Sequence, residues 1–174
     1  MKRPGAPAAR ARQSARRGLA GLCAALLLAG CAVTPPQAGT PRSALLRTWG
    51  APTAHHALPD GAERLEYASG PYGRTTWMVD VDAAGRVLRA HQVLNEAEFL
   101  AVQSVHGLRR GELLRRLGAP GERRSGGWAG GQVWSWRYPT NDCLWFQVSV
   151  ADDGGVTGSG YAVDPACGTQ PDVP

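Results

Sequence analysis

"LLRTWGAPTA" (Leu45–Ala54) and "LLRRLGAPGE" (Leu113–Glu122) share Leu-Leu-Arg and then Gly-Ala-Pro at one fixed offset of 68. Six matches in ten can arise by chance, so the flanks decide whether the chain is a duplicated module. They do repeat. Leu45, Leu46 and Trp49 fall at helical spacing, as do Leu113, Leu114 and Leu117. Gly50 and Gly118 can take a left-handed C-terminal position, and Pro52 and Pro120 prevent continuation. Thr40-Pro41 supplies an N-cap and a first helical Pro for the first copy.

A strand follows each helix, "RLEYA" (Arg64–Ala68) and "QVWSWRY" (Gln132–Tyr138). Next, "TWMVDVDAAGRVLRAHQVL" (Thr76–Leu94) parallels "WFQVSVADDGGVTGSGYAV" (Trp145–Val163). Trp77, Val79 and Val81 correspond to Phe146, Val148 and Val150 at an offset of 69 and alternate as half-buried strands do. "DAAG" and "ADDG" sit where hairpin turns with a positive-φ Gly belong. Between the copies, "NEAEFLAVQSV" (Asn95–Val105) predicts a helix that begins with Asn95 as cap and Glu98 three residues on. The fold class is α+β, in two tandem lobes of helix plus three-stranded antiparallel sheet, residues 40–94 and 95–167, followed by a tail over 168–174.

The first thirty residues differ. Lys2, Arg3, Arg10, Arg12, Arg16 and Arg17 precede the apolar run "GLAGLCAALLLAG" (Gly18–Gly30), and no acidic residue interrupts them. The run is shorter than the roughly 20 residues of a spanning helix, and the pattern is that of a secretory signal, residues 1–30. Leu28-Ala29-Gly30-Cys31 resembles the lipobox of bacterial lipoproteins. The resemblance implies acylation of Cys31; ordinary cleavage near Ala32 is the alternative. Ala32 in place of Asp implies, by the same resemblance, export to the outer membrane, facing the periplasm. Acyl chains anchor at about 0.8 kcal/mol per buried CH₂. Residues 31–39 are then the lipidated Cys and a Pro- and Gly-rich tether.

The whole chain has 19 basic and 14 acidic side chains, but the six basic residues of the signal leave 13 against 14 after it. The basic pI therefore belongs to the leader, and nucleic acid is not an expected partner. After Cys31 only Cys143 and Cys167 remain; in an oxidising compartment they make one disulfide, and two free thiols are the alternative.

No catalytic, metal or cofactor constellation stands out, and the chain reads as a non-enzyme. "GSG" (Gly158–Gly160) lies in a strand, away from any nucleophile-elbow spacing, and "GGWAGG" (Gly126–Gly131) lacks the Lys of a phosphate loop. "DVDAAG" (Asp80–Gly85) lacks the ligands of a calcium loop, and its acids are expected on a solvated strand face. Adjacent His55 and His56, expected in an exposed loop, point apart and make a poor metal pair. Trp145 alternates with Phe146, so it is left on the open face if Phe146 faces the helices, and Trp128 stands in a glycine loop. Either these two tryptophans contact a partner or the other lobe covers them.

Glycine, apolar spacing into Leu-Gly-x-Pro and then aromatic strands, over Gly107–Val163 and more loosely Pro41–Leu94, resemble the BamE/SmpA-OmlA domain of outer-membrane lipoproteins. The resemblance implies an α-α-β-β-β module, an accessory role in β-barrel protein assembly, and contact with barrel-assembly machinery subunits and phospholipid. The expected role is therefore a binding or scaffold one in barrel assembly or envelope maintenance. Arg109 stands where the family usually carries a Thr cap, and this chain has two modules rather than one. Tandem helix-plus-sheet units also resemble the secreted β-lactamase-inhibitor protein. The alternative is therefore a periplasmic inhibitor or binding module for a soluble enzyme.

Overall fold

The computed structural model describes residues 34–126, 130–141 and 143–167. Among the described residues, three α-helices and two four-stranded antiparallel sheets follow one another in chain order. Helix α1 (Arg42–Trp49) leads into strands β1 (Ala54–Ala57), β2 (Glu63–Ala68), β3 (Thr76–Val81) and β4 (Val87–Gln92), paired in that order. Helices α2 (Glu96–Ser104) and α3 (Arg110–Leu117) precede β5 (Glu122–Ser125), β6 (Gln132–Arg137), β7 (Leu144–Val150) and β8 (Val156–Val163).

The expected three-stranded sheets are therefore corrected to four. The missed strands, "AHHA" and "ERRS", are four residues long and polar, so neither shows apolar alternation. They form because each lies antiparallel to a longer neighbour, with His55 opposite Leu65 and Arg123 opposite Trp134. The cap of α1 also shifts by one: Pro41 is the N-cap, and its carbonyl accepts from Ala44 and Leu45.

The duplication reaches into backbone detail. Arg42 N donates to Gly85 O and Arg110 N to Gly154 O, both at 2.8 Å. Val87 N donates to Thr40 O, and Val156 N to Leu108 O, both at 2.9 Å. Both sheets carry a register shift at the same place, between Asp80 and Val81 and between Ser149 and Val150. Both turn glycines have positive φ, 74° at Gly85 and 84° at Gly154.

In the first repeat Leu45 packs on Leu65, Val79, Val81 and Val87. In the second, Leu113 and Leu117 pack with Trp134, Trp136, Phe146 and Val148, and α2 adds Phe99, stacked on Phe146 at 4.5 Å. Asn95 caps α2 as expected, accepting from Glu98 N at 3.0 Å. Among the described residues no helix precedes α1 to cover Trp77 as α2 covers Phe146. Instead Trp49, at the position of Leu117, meets Tyr67 at 5.2 Å and Trp77 at 5.8 Å, edge-on to both. The larger ring fills space that the second repeat fills with a helix.

From Pro35 onward the chain is one compact unit. Alternation puts Leu65, Val79 and Val81 on the α1 side of the first sheet, and Arg64, Glu66, Met78 and Asp80 on the other. Met78, fully buried, belongs to the core of the second repeat.

Candidate functional site

Two places gather polar side chains that the apolar pattern of the strands does not explain. The first is the seam between the repeats. Glu66 is 1% exposed, yet it carries a carboxylate. Its Oε1 accepts from Ala119 N at 2.9 Å and its Oε2 pairs with His56 Nε2 at 3.0 Å. Arg64 binds Asp80 through two bonds, Nε to Oδ1 at 2.6 Å and Nη2 to Oδ2 at 2.9 Å, and donates Nη1 to the carbonyl of Arg115 at 2.7 Å. Arg89 Nε reaches Asp80 Oδ2 at 2.7 Å from β4. Burial raises the Asp80 carboxyl, but hydrogen bonds and charge from Arg64 and Arg89 outweigh it and hold it below the ordinary range. Asp80 is thus a buried clamp, not the solvated acid expected of "DVDAAG".

Two openings flank this seam. A cavity of about 240 Å³ is lined by Glu66, Thr76, Leu94, Pro120 and Trp136. A charged crevice of about 370 Å³ lies between Arg64, Arg89 and His91 on one side and Glu98, Glu112 and Arg115 on the other. His91 keeps Nδ1 buried without a hydrogen-bond partner among the described residues. Burial, with Arg89 and Arg64 nearby, pushes its pKa down. His55 and His56 lie on strand β1, not in a loop, and their side chains bind Glu63 and Glu66 respectively. Among the described residues no group of three His, Cys, Asp or Glu could hold a metal ion.

The second place is the outer face of the second sheet, around Trp145. This ring does sit on the face away from the helices, opposite Arg137 on β6 and Ala162 on β8. The exposure expected there is not found: Trp145 is 6% exposed. Its Nε1 donates to Asp164 Oδ2 at 2.6 Å, and Arg137 Nη1 meets the same oxygen at 2.5 Å. Arg137 also lies 5.3 Å from the Trp145 ring centre and Arg124 5.9 Å. Arg137, Arg124 and Asp164 of the same repeat contact the ring, and at 6% exposure Trp145 offers little surface to a partner. Trp128 lies outside the described residues, as does Cys31.

The disulfide Cys143–Cys167 is present, with Cα atoms 5.6 Å apart. It joins the residue before β7 to the turn after β8, where Asp164 N also donates to Cys143 O at 2.8 Å. Arg109 immediately precedes α3, and its backbone N–H is satisfied by Glu112 Oε2 at 3.0 Å.

Sequence reading missed Arg64, Glu66, Arg137 and Asp164. The available signal was charge inside apolar strands: Glu66 between Leu65 and Tyr67, and Asp80 between Val79 and Val81. Such residues mark a sheet face that meets polar groups rather than oil.

No protein-family model matches the chain, and no curated protein matches it. Among solved structures, the chain is similar to a cysteine-rich secretory protein (SAV1118) from Staphylococcus aureus subsp. aureus Mu50. The two are 11% identical, and the match covers 76% of this chain and 46% of that one at a TM-score of 0.28. The chain thus spans less than half of that protein, and the likeness assigns neither fold family nor function.

Proposed function

We propose that this chain is a lipid-anchored binding protein of the outer membrane that presents two BamE-like repeats to the periplasm as one rigid platform. The observation that carries this reading is the polar seam. Arg64 and Glu66 of the first repeat bind backbone groups at the end of α3, and Asp80 holds Arg64 in place, so the repeats cannot reorient independently without stranding buried charge. The carboxylates of Glu66, Asp80 and Asp164 are occupied by structural partners, which suits binding better than catalysis. Acylation of Cys31 would hold the platform at the membrane and raise its effective concentration for membrane partners. Barrel-assembly subunits and phospholipid are the partners this reading expects, and Trp128 is the remaining aromatic candidate for contact.

Affinity capture of the tagged lipoprotein from gently solubilised outer membranes tests the proposal, with Cys31→Ala as the unanchored control. Enrichment of barrel-assembly subunits only with the intact Cys31 supports it. Enrichment of a soluble periplasmic enzyme, with or without Cys31, overturns it in favour of an inhibitor.

A further inference from the structure

Each sheet ends in two edge strands whose outer N–H and C=O groups pair with no described strand, and such edges invite pairing unless something blunts them. Three of the four are blunted. β1 and β5 are four residues long, β5 carries Glu122, Arg123 and Arg124, and β4 carries Arg89, tied to Asp80. β8 is bonded at its first residue, where Val156 N donates to Leu108 O, and α2 touches it through Tyr161, whose hydroxyl donates to Glu96; beyond Val156 it has none of these devices. It runs eight residues, "VTGSGYAV", with no charge and no proline. Tyr161 is 40% exposed and Val163 65%. The disulfide fixes the far end of β8 beside β7, so this open edge is also a rigid one.

We propose that β8 pairs antiparallel with β8 of a second copy, joining two four-stranded sheets into one of eight strands about a two-fold axis through Gly160. The sequence of the strand is what selects a second copy. In an antiparallel pair, opposed residues lie on the same face. Centring the pair on Gly160 therefore sets Tyr161 against Ser159 and Ala162 against Gly158, within the regular part of β8 that lies beyond the bulge at Thr157. Each larger side chain meets a smaller one, and no charge meets a like charge. Gly160 faces itself on the axis, where opposed Cα atoms are about 5 Å apart. Gly160 has no positive φ, and a Cβ placed there meets nothing within 4 Å, so its lack of a side chain serves no contact inside the monomer.

The register makes the test specific, because a disulfide needs Cα atoms within about 7 Å. In the dimer a thiol introduced at Gly160 faces its own copy across the axis. A thiol introduced at Gly158 faces Ala162 instead and stands several residues from its copy. Full-length Gly160→Cys and Gly158→Cys, the latter also in open space, are oxidised in mild detergent, and cross-linked peptides are read by mass spectrometry. The expected result is an excess of about tenfold or more in the link formed by Gly160→Cys over that formed by Gly158→Cys. Sedimentation of the parent chain should show dimers, and Gly160→Glu, which sets two like charges on the axis, should be monomeric with an unchanged circular dichroism spectrum. Equal linking at the two positions overturns the proposal. So does a parent chain that stays monomeric at every concentration, the outcome if β8 takes an unrelated strand or none.

Discussion

Glu66, in a strand of the first repeat, accepts a hydrogen bond at 2.9 Å from the backbone N–H of Ala119, just past the helix of the second. The two residues are 53 positions apart in sequence. The acceptor is fully buried, and its other oxygen holds His56. One carboxylate thus ties both repeats and an edge strand together.

Glu66→Ala leaves the Ala119 N–H and the half-buried His56 imidazole without their acceptor, each worth about 1–3 kcal/mol when left unsatisfied and less where water can reach it. The expected loss of unfolding free energy is about 3 kcal/mol, with Glu66→Gln costing less because its amide oxygen can still accept from Ala119. Denaturant titration of the three proteins checks the order.

Gly50 and Gly118 occupy matching positions with the same φ of 77°, but only Gly118 lies on the seam. A Cβ there would stand 2.8 Å from Thr76 Cγ2 and 2.9 Å from Glu66 Cδ, while at Gly50 it meets nothing within 4 Å. With ψ of −164° at Gly50 and −170° at Gly118, neither glycine takes the left-handed helical position expected of it. Both lie in a positive-φ region that is nearly glycine-only, and Gly50→Ala should cost about 1–3 kcal/mol from that strain alone. Gly118→Ala should cost clearly more, and thermal melts of the pair measure the difference.

The seam should be acid-labile. Asp80 in the fold lies below its ordinary value of 3.8, so its contribution is complete above that value and is lost as pH falls through the folded pKa. His91 lies below 6.5 in the fold, because burial, Arg89 and Arg64 disfavour its cation more than Asp80 and Glu98 favour it. The native state therefore binds fewer protons than the unfolded chain from both groups. Stability should be level above about pH 7, begin to fall below about 6.5, and fall again below the ordinary carboxylate range. His91→Gln should remove the upper limb and keep the lower one, as read from chemical denaturation across pH.

Reduction of Cys143–Cys167, a separation of 24 residues, should cost about 3 kcal/mol in the chain-entropy view. Amide exchange checks where: protection should fall first at Ala162, Val163 and Asp164, beside the bridge, and last at Leu113 and Leu117.

Much of this fold is legible from residues. The offset of 68–69 carries the two helices, the long strands and both hairpin glycines, because each rests on local chemistry that repeats, and cysteine arithmetic supplies the disulfide pair. β1 and β5 are not legible: "AHHA" and "ERRS" become strands only through their neighbours. The burial of Trp145 is missed for a related reason. Alternation correctly puts it on the outer face, but Asp164, nineteen residues away, and Arg137 from β6 contact it there. The seam is half visible, in charges set within apolar strands, although their partners include backbone groups that no side-chain pattern announces.

The central claim is that the two repeats unfold as one body, and the sharpest test is whether they melt together. Guanidinium unfolding can be followed by paired Trp→Phe variants that leave reporters only in the first repeat, Trp49 and Trp77, or only in the second. One transition with coincident midpoints is predicted, and Glu66→Ala should lower both midpoints together. Two separated transitions, with the first repeat melting alone while the second stays intact, would contradict the rigid platform and the function proposed for it.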